Sequence, residues 1–174
     1  MSLARTARSL AAREFLRRIA PTVRRSTPAR FAVFRSRTRW SIAQLWFGNS
    51  ELHYEAWLRE RLGVVEVGLH FEADPLTNAR LLAAFRSRAE EVRRALGDTP
   101  RIESWDRGWA RVWEPVAITR LDTDLLERVA SRLARYIAAL ESILEDELPA
   151  DFDWDEPRAR PQRAATGARA KQRR

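Results

Sequence analysis

The chain has 174 residues, no cysteine, and a formal net charge of +8 from 32 Lys/Arg against 24 Asp/Glu. This length allows one domain with extensions, and the missing cysteine excludes disulfides, thiolate metal sites and cysteine nucleophiles. No apolar run, including the one around Val64 to Leu69, approaches the roughly 20 residues that a membrane-spanning helix requires. A cytoplasmic chain is expected, with an organellar transit peptide over residues 1–39 as the alternative.

The charge is divided by region. Residues 1–39 carry eleven arginines against the single acid Glu14, a net of +10. Residues 40–150 carry fourteen arginines against nineteen acids, a net of −5, and residues 151–174 add +3. A mildly acidic body thus sits between two basic ends, the kind of end that attracts an anionic polymer. Arginine replaces lysine almost everywhere, 31 residues against one, in the acidic body as much as at the ends. Codon preference explains that bias better than selection for phosphate contacts, so arginine is read as ordinary positive charge.

In chain order, residues 1–39 read as a basic, flexible arm. Leu3, Leu10, Phe15, Leu16 and Ile19 are interspersed with Arg5, Arg8 and Arg18, so no clean apolar face forms. Pro21 and Pro28 then interrupt any helix. Arg13, Arg17, Arg18, Arg24 and Arg25 are the candidate polyanion-binding residues of this arm.

A single domain is expected over residues 40–150. It begins with the apolar stretch Trp40 to Phe47, closed by the turn signal Gly48-Asn49-Ser50. Period-two alternation follows on both sides of Glu60-Arg61-Leu62-Gly63, predicting a β-hairpin. Placing both apolar sets on one face pairs Tyr54 with Leu69, Ala56 with Val67 and Leu58 with Val65 inside, and His53 with His70 and Trp57 with Glu66 outside. Asp74-Pro75 then opens an amphipathic helix that ends at Gly97.

A second hairpin follows, turning at Asp106-Arg107-Gly108 with the glycine left-handed, pairing Trp105 with Trp109 and Glu103 with Arg111. Pro115 places its last strand at a sheet edge or at a bend. Asp122-Thr123-Asp124 opens a final helix with an apolar stripe from Leu126 to Leu148, ended by Pro149. The fold class is therefore α+β: a four-stranded, antiparallel-rich sheet in β-β-α-β-β-α order, two helices on one face, and basic disordered termini. Residues 151–174 read as an acidic and then basic disordered tail.

The helix ending Ala95-Leu96-Gly97, the tryptophan-bearing strand Arg101 to Trp105 and the final helix with Tyr136-Ile137 near its middle give the run from about Ser50 to Leu148 a resemblance. It resembles a family of uncharacterised bacterial ββαββα domains found beside nuclease-like domains of restriction or defence systems. The resemblance implies an accessory role in nucleic-acid processing. It carries no catalytic signature.

Two surfaces are candidates for function. Both histidines of the chain, His53 and His70, face each other on the outer side of the first hairpin with Glu72 diagonal and Glu55 two residues along. Imidazole and carboxylate on adjacent strands can reach a common ion, but the spacing matches no known motif, so neither metal nor cofactor is assigned. The second surface is aromatic: Trp57, Trp105, Trp109 and Trp113, with Arg111, share the outward parity. It would be covered by residues 31–47, by a second copy, or by stacked bases. The leading expectation is a non-enzymatic interaction module, its arms engaging nucleic acid or another polyanion and its sheet face engaging protein or its own twin. The alternatives are a metal-dependent hydrolase or phosphoesterase using His53, His70 and Glu72, and a structural dimerisation domain with incidental basic tails.

Overall fold

The computed structural model describes residues 7–154 as a mixed α+β fold. Its strands are β1 (Arg35–Arg39), β2 (Ile42–Trp46), β3 (Leu52–Arg59), β4 (Val64–Phe71), β5 (Arg101–Ser104) and β6 (Ala110–Ala117). They form one antiparallel sheet in the order β1-β2-β3-β4-β6-β5. Four helices, α1 (Ala12–Ser26), α2 (Pro75–Ser87), α3 (Ala89–Leu96) and α4 (Thr123–Glu147), complete the fold. Among the described residues no helix is long and apolar enough to cross a membrane.

The β3–β4 hairpin has the register that its alternation requires, with Tyr54 opposite Leu69, Ala56 opposite Val67, Leu58 opposite Val65 and His53 opposite His70. The second hairpin also pairs as expected. Glu103 lies opposite Arg111, the Trp105 amide donates to the Trp109 carbonyl at 2.7 Å, and Gly108 has φ 77°. Arg107, at φ 59°, is left-handed as well.

The sheet has six strands where four were expected, and the difference lies in residues 31–47. Instead of covering the outer face, this segment adds β1 and β2 to the sheet edge. Strand β2 keeps the alternation, with Ala43 and Leu45 buried opposite Ala56 and Tyr54. Strand β1 is exposed at all five positions, Arg-Ser-Arg-Thr-Arg. A charged edge strand discourages pairing with another chain, and having no apolar face it shows no period.

Residues 7–39 correct the expectation of a flexible arm. Helix α1 buries Phe15, Leu16, Ile19 and Val23, and it packs against α4 and the β2–β3 end of the sheet. The segment before it is fixed as well: the Leu10 amide donates to the Leu121 carbonyl at 2.8 Å and the Thr123 amide to the Arg8 carbonyl at 3.0 Å. Pro21 sits inside α1 on its exposed side, and the helix continues through it to Ser26.

The predicted helix after Asp74 starts as expected, with the Asp74 carboxylate accepting from the Leu76 and Thr77 amides, and ends at Gly97. It is broken at Arg88 (φ −100°, ψ 17°) into α2 and α3, which bury Leu81 and Phe85, then Val92 and Leu96. Pro115 lies beyond the short β5, whose last partner on β6 is Trp113. From there β6 has no neighbour on that side, so the missing amide costs no ladder bond. The chain stays docked past residue 150: Arg80 pairs with Asp151 at 2.9 Å, and the Asn49 side-chain amide donates to the Asp153 carbonyl at 3.0 Å. The rest of the expected tail, residues 155–174, lies outside the described residues.

Helix α4 crosses β3 and β4 on the inner face, where two acids are buried, Glu114 of β6 and Glu141 of α4. Glu114 of β6 is answered by Arg132, which also donates to the Leu96 carbonyl at 2.6 Å and so ties the end of α3 to α4. Glu141 is less well matched. One of its oxygens accepts from Tyr54 Oη at 2.8 Å while Oε1 has no partner. Burial pushes its carboxyl up to about 7, with the Tyr54 hydrogen bond opposing and the Glu145 charge assisting.

A carboxyl raised on folding contributes stability that is complete below its unfolded value near 4.5 and disappears as pH rises through about 7. Urea unfolding of the wild type should therefore show a loss on the order of 3 kcal/mol across that window. Glu141→Gln should remove the slope. An unchanged pH profile in the variant would show that Glu141 does not titrate in this window.

Candidate metal centre

Among the described residues no α-helix covers the outer face of the sheet, yet its centre is buried. His53 and Glu55 of β3, with His70 of β4 and Glu72 just beyond it, lie side by side because residues i and i+2 share a face and His53 is registered against His70. The imidazoles stack with ring centroids 5.5 Å apart and 10° between planes. One ligand atom from each of the four side chains lies within 4.8 Å of the others.

Hydrogen bonds orient the set. His53 Nδ1 is 2.9 Å from the Ser50 carbonyl, which makes it the protonated nitrogen and leaves Nε2 a lone pair. That Nε2 lies 2.8 Å from the Gln44 side-chain amide and 3.3 Å from Glu55 Oε2, and Gln44 also donates to Glu55 Oε2 at 2.9 Å. A backbone carbonyl behind one ring nitrogen is how ligating histidines are commonly held. Burial would push the Glu55 carboxyl up, but its electrostatic interactions with His70 and His53 and its hydrogen bonds with His53 and Gln44 outweigh it and hold the group at about 2. Glu55 is thus an anion throughout the neutral range.

His70 completes the picture. It is only 2% exposed, its Nδ1 has no hydrogen-bond partner among the described residues, and that atom lies 3.7 Å from Glu72 Oε1. A buried imidazole nitrogen without a partner loses its hydration for no return. Two imidazole nitrogens and two carboxylates are the donor set of a borderline divalent ion, and two negative charges would balance its own.

Tryptophans form the cover. The Trp105 ring stands edge-on to His70 at 5.6 Å and contacts Trp57 at 6.0 Å and Trp109 at 5.8 Å. Arg111 is buried, with its guanidinium 4.6 Å from the Trp105 ring and 3.9 Å from that of Trp113, bonded to Glu66 at 3.0 Å and Glu103 at 2.9 Å. Trp113 is buried too and donates from Nε1 to Glu103 at 2.7 Å. Gly68 permits this packing, since a Cβ there would stand 2.7 Å from Trp113 Cβ and closer still to the Val112 carbonyl.

The structure thus brings together His53, His70 and Glu72 and adds Glu55 as the more deeply buried carboxylate. The aromatic residues share the outer face, as their parity requires, and they pack there on one another. Trp57, Trp105 and Trp109 are half-buried against one another and the histidines, while Arg111 and Trp113 are buried in an internal ion-pair network.

The five arginines assigned to the arm all lie on α1. Arg24 donates to the Ala32 and Phe34 carbonyls, Arg25 pairs with Glu127 at 3.5 Å, and Arg18 lies 3.8 Å from Glu14. Arg13 and Arg17 point to solvent. Comparison with known protein families, with curated proteins and with solved structures finds no match to this chain.

Proposed function

We propose that this protein binds one first-row divalent transition-metal ion through His53, Glu55, His70 and Glu72. The observation that carries this reading is the His70 Nδ1 atom, buried and unpartnered inside a cluster of three other ligating side chains. The mixed nitrogen and oxygen donors favour zinc, iron, cobalt or manganese over calcium and magnesium, which take oxygen sets, and over copper(I), which takes sulfur. Four protein ligands under a tryptophan cover make a closed site. The ion would brace β3 against β4 and fix the outer face as a rigid surface, in keeping with a module that acts by binding.

Equilibrium dialysis of the full chain against zinc or manganese, followed by elemental analysis, tests this. One tightly held ion per chain is expected, and none in His53→Ala/His70→Ala. Equal metal content in the two proteins would refute the assignment.

One observation favours a hydrolytic use of the same ion. Glu72 is the outermost ligand, its side chain 22% exposed, and it is the group a water molecule or phosphoester oxygen could replace. In that case the zinc- or manganese-loaded chain cleaves bis(p-nitrophenyl) phosphate and His70→Ala does not. No turnover by the loaded chain would leave the bracing role alone.

A further inference from the structure

The turn between β1 and β2 breaks a local rule. It is a two-residue hairpin connection, and its first residue, Trp40, has φ 45°. Left-handed backbone at this position ordinarily selects Gly, Asn or Asp, and a bulky aromatic there is strained. No packing compensates for it, because Trp40 is 91% exposed, the largest exposure among the large apolar side chains of the described residues. A strained residue that stabilises nothing in the fold suggests a function for its side chain.

Its surroundings indicate which. Trp40 borders a cleft of about 430 Å³ between α1 and the β1–β2 turn, lined also by Arg13, Leu16, Arg17, Thr38 and Ser41. Arg13 and Arg17 are four residues apart, share the exposed side of α1, and make no ion pair with a described residue. The Arg39 guanidinium lies 5.9 Å from the Trp40 ring. Glu60 is the one acid on the cleft wall. Unpaired guanidinium groups beside an exposed indole offer together what a nucleic-acid strand presents, phosphates for the cations and a base for the ring.

We infer that this cleft binds single-stranded nucleic acid, with a base stacked on Trp40 and the flanking phosphates on Arg13, Arg17 and Arg39. A duplex keeps its bases stacked internally and cannot offer one to the indole. The inference does not depend on the metal centre.

The test is fluorescence anisotropy of the full chain with a labelled 12-nucleotide oligo(dT), its RNA counterpart and a duplex, over a range of salt. Other arginines add non-specific attraction, so the deciding variant is Trp40→Ala, which leaves charge untouched. It should weaken binding to the single strands about tenfold and leave binding to the duplex unchanged. Trp40→Gly takes positive φ without strain, so it should fold at least as well as the wild type and bind as weakly as Trp40→Ala. Arg13→Ala/Arg17→Ala should lower the slope of log K against log salt by about 1.4.

Equal affinity of the wild type and Trp40→Ala for the single strands would overturn the inference. So would duplex binding as tight as single-strand binding. Trp40-dependent binding to vesicles of phosphatidylcholine and phosphatidylglycerol, without such binding to oligonucleotide, would assign the cleft to a membrane surface and overturn it too.

Discussion

Deleting residues 1–26 is expected to leave a chain that does not fold cooperatively. Phe15, Leu16, Ile19 and Val23 are each at most 2% exposed and fill the space between α4 and the β2–β3 end of the sheet. Removing the helix strips that side of the core while its partners stay apolar. A single truncation shows the scale: Phe15→Ala should cost about 3–5 kcal/mol, against a total stability of about 5–15 kcal/mol for a domain of this kind. Circular dichroism melts of both forms make the measurement. A truncated protein melting like the full chain would return residues 1–26 to the status of an arm.

Arg111→Ala should be the most damaging single change on the opposite face. The guanidinium is wedged between Trp105 and Trp113 and is bonded to two acids, of which Glu66 is buried. Removing one partner of a buried pair leaves the other charge uncompensated, at a cost of about 3–5 kcal/mol. Arg59, 3.0 Å from the other Glu66 oxygen, offsets part of this. The tryptophan cover also loses its spacer. Arg111→Met/Glu66→Gln, which restores volume and removes the stranded charge, should recover more than half of the loss in urea unfolding. If the double variant is no better than Arg111→Ala, packing of the guanidinium matters more than its charge.

The parts of the fold legible in the sequence are those where one period dominates a segment. In β3 and β4, alternation with one apolar face leaves a single register, and that register alone puts His53 beside His70 with Glu72 diagonal. In α1 the apolar stripe is equally clear once the helix starts at Ala12. Reading it from Leu3 mixes in residues that are not helical, and Pro21 looks like a break until its exposed position is known. Strand β1 carries no periodic signal at all, because an edge strand exposed on both faces has nothing to alternate.

The same limits apply to the site. The burial of Glu55 depends on Gln44, from a strand not foreseen as such, and on the outer face being closed by Trp105 from the turn after β5. Neither contact is local in sequence. The grouping of the basic residues was misleading for a similar reason. Arg24 and Arg25 belong to one stretch of charge with Arg13 and Arg17, but tertiary packing turns the first two to backbone carbonyls and Glu127 and leaves the second two free. Within the described residues most arginines of the basic N-terminal region are carried on a structured helix and strand, where position decides which of them can meet a ligand.

The claim that the outer face of β3–β4 is built around a cation is most directly tested by thermal melting in increasing zinc or manganese, for the wild type and His70→Ala. Binding to the folded state alone should raise the wild-type midpoint progressively with metal concentration, reaching about 2.7 kcal/mol of added stability at a hundredfold excess over Kd, on the order of 5–10 °C. His70→Ala should show no such rise. A wild-type midpoint indifferent to metal, or an equal rise in the variant, would contradict the account.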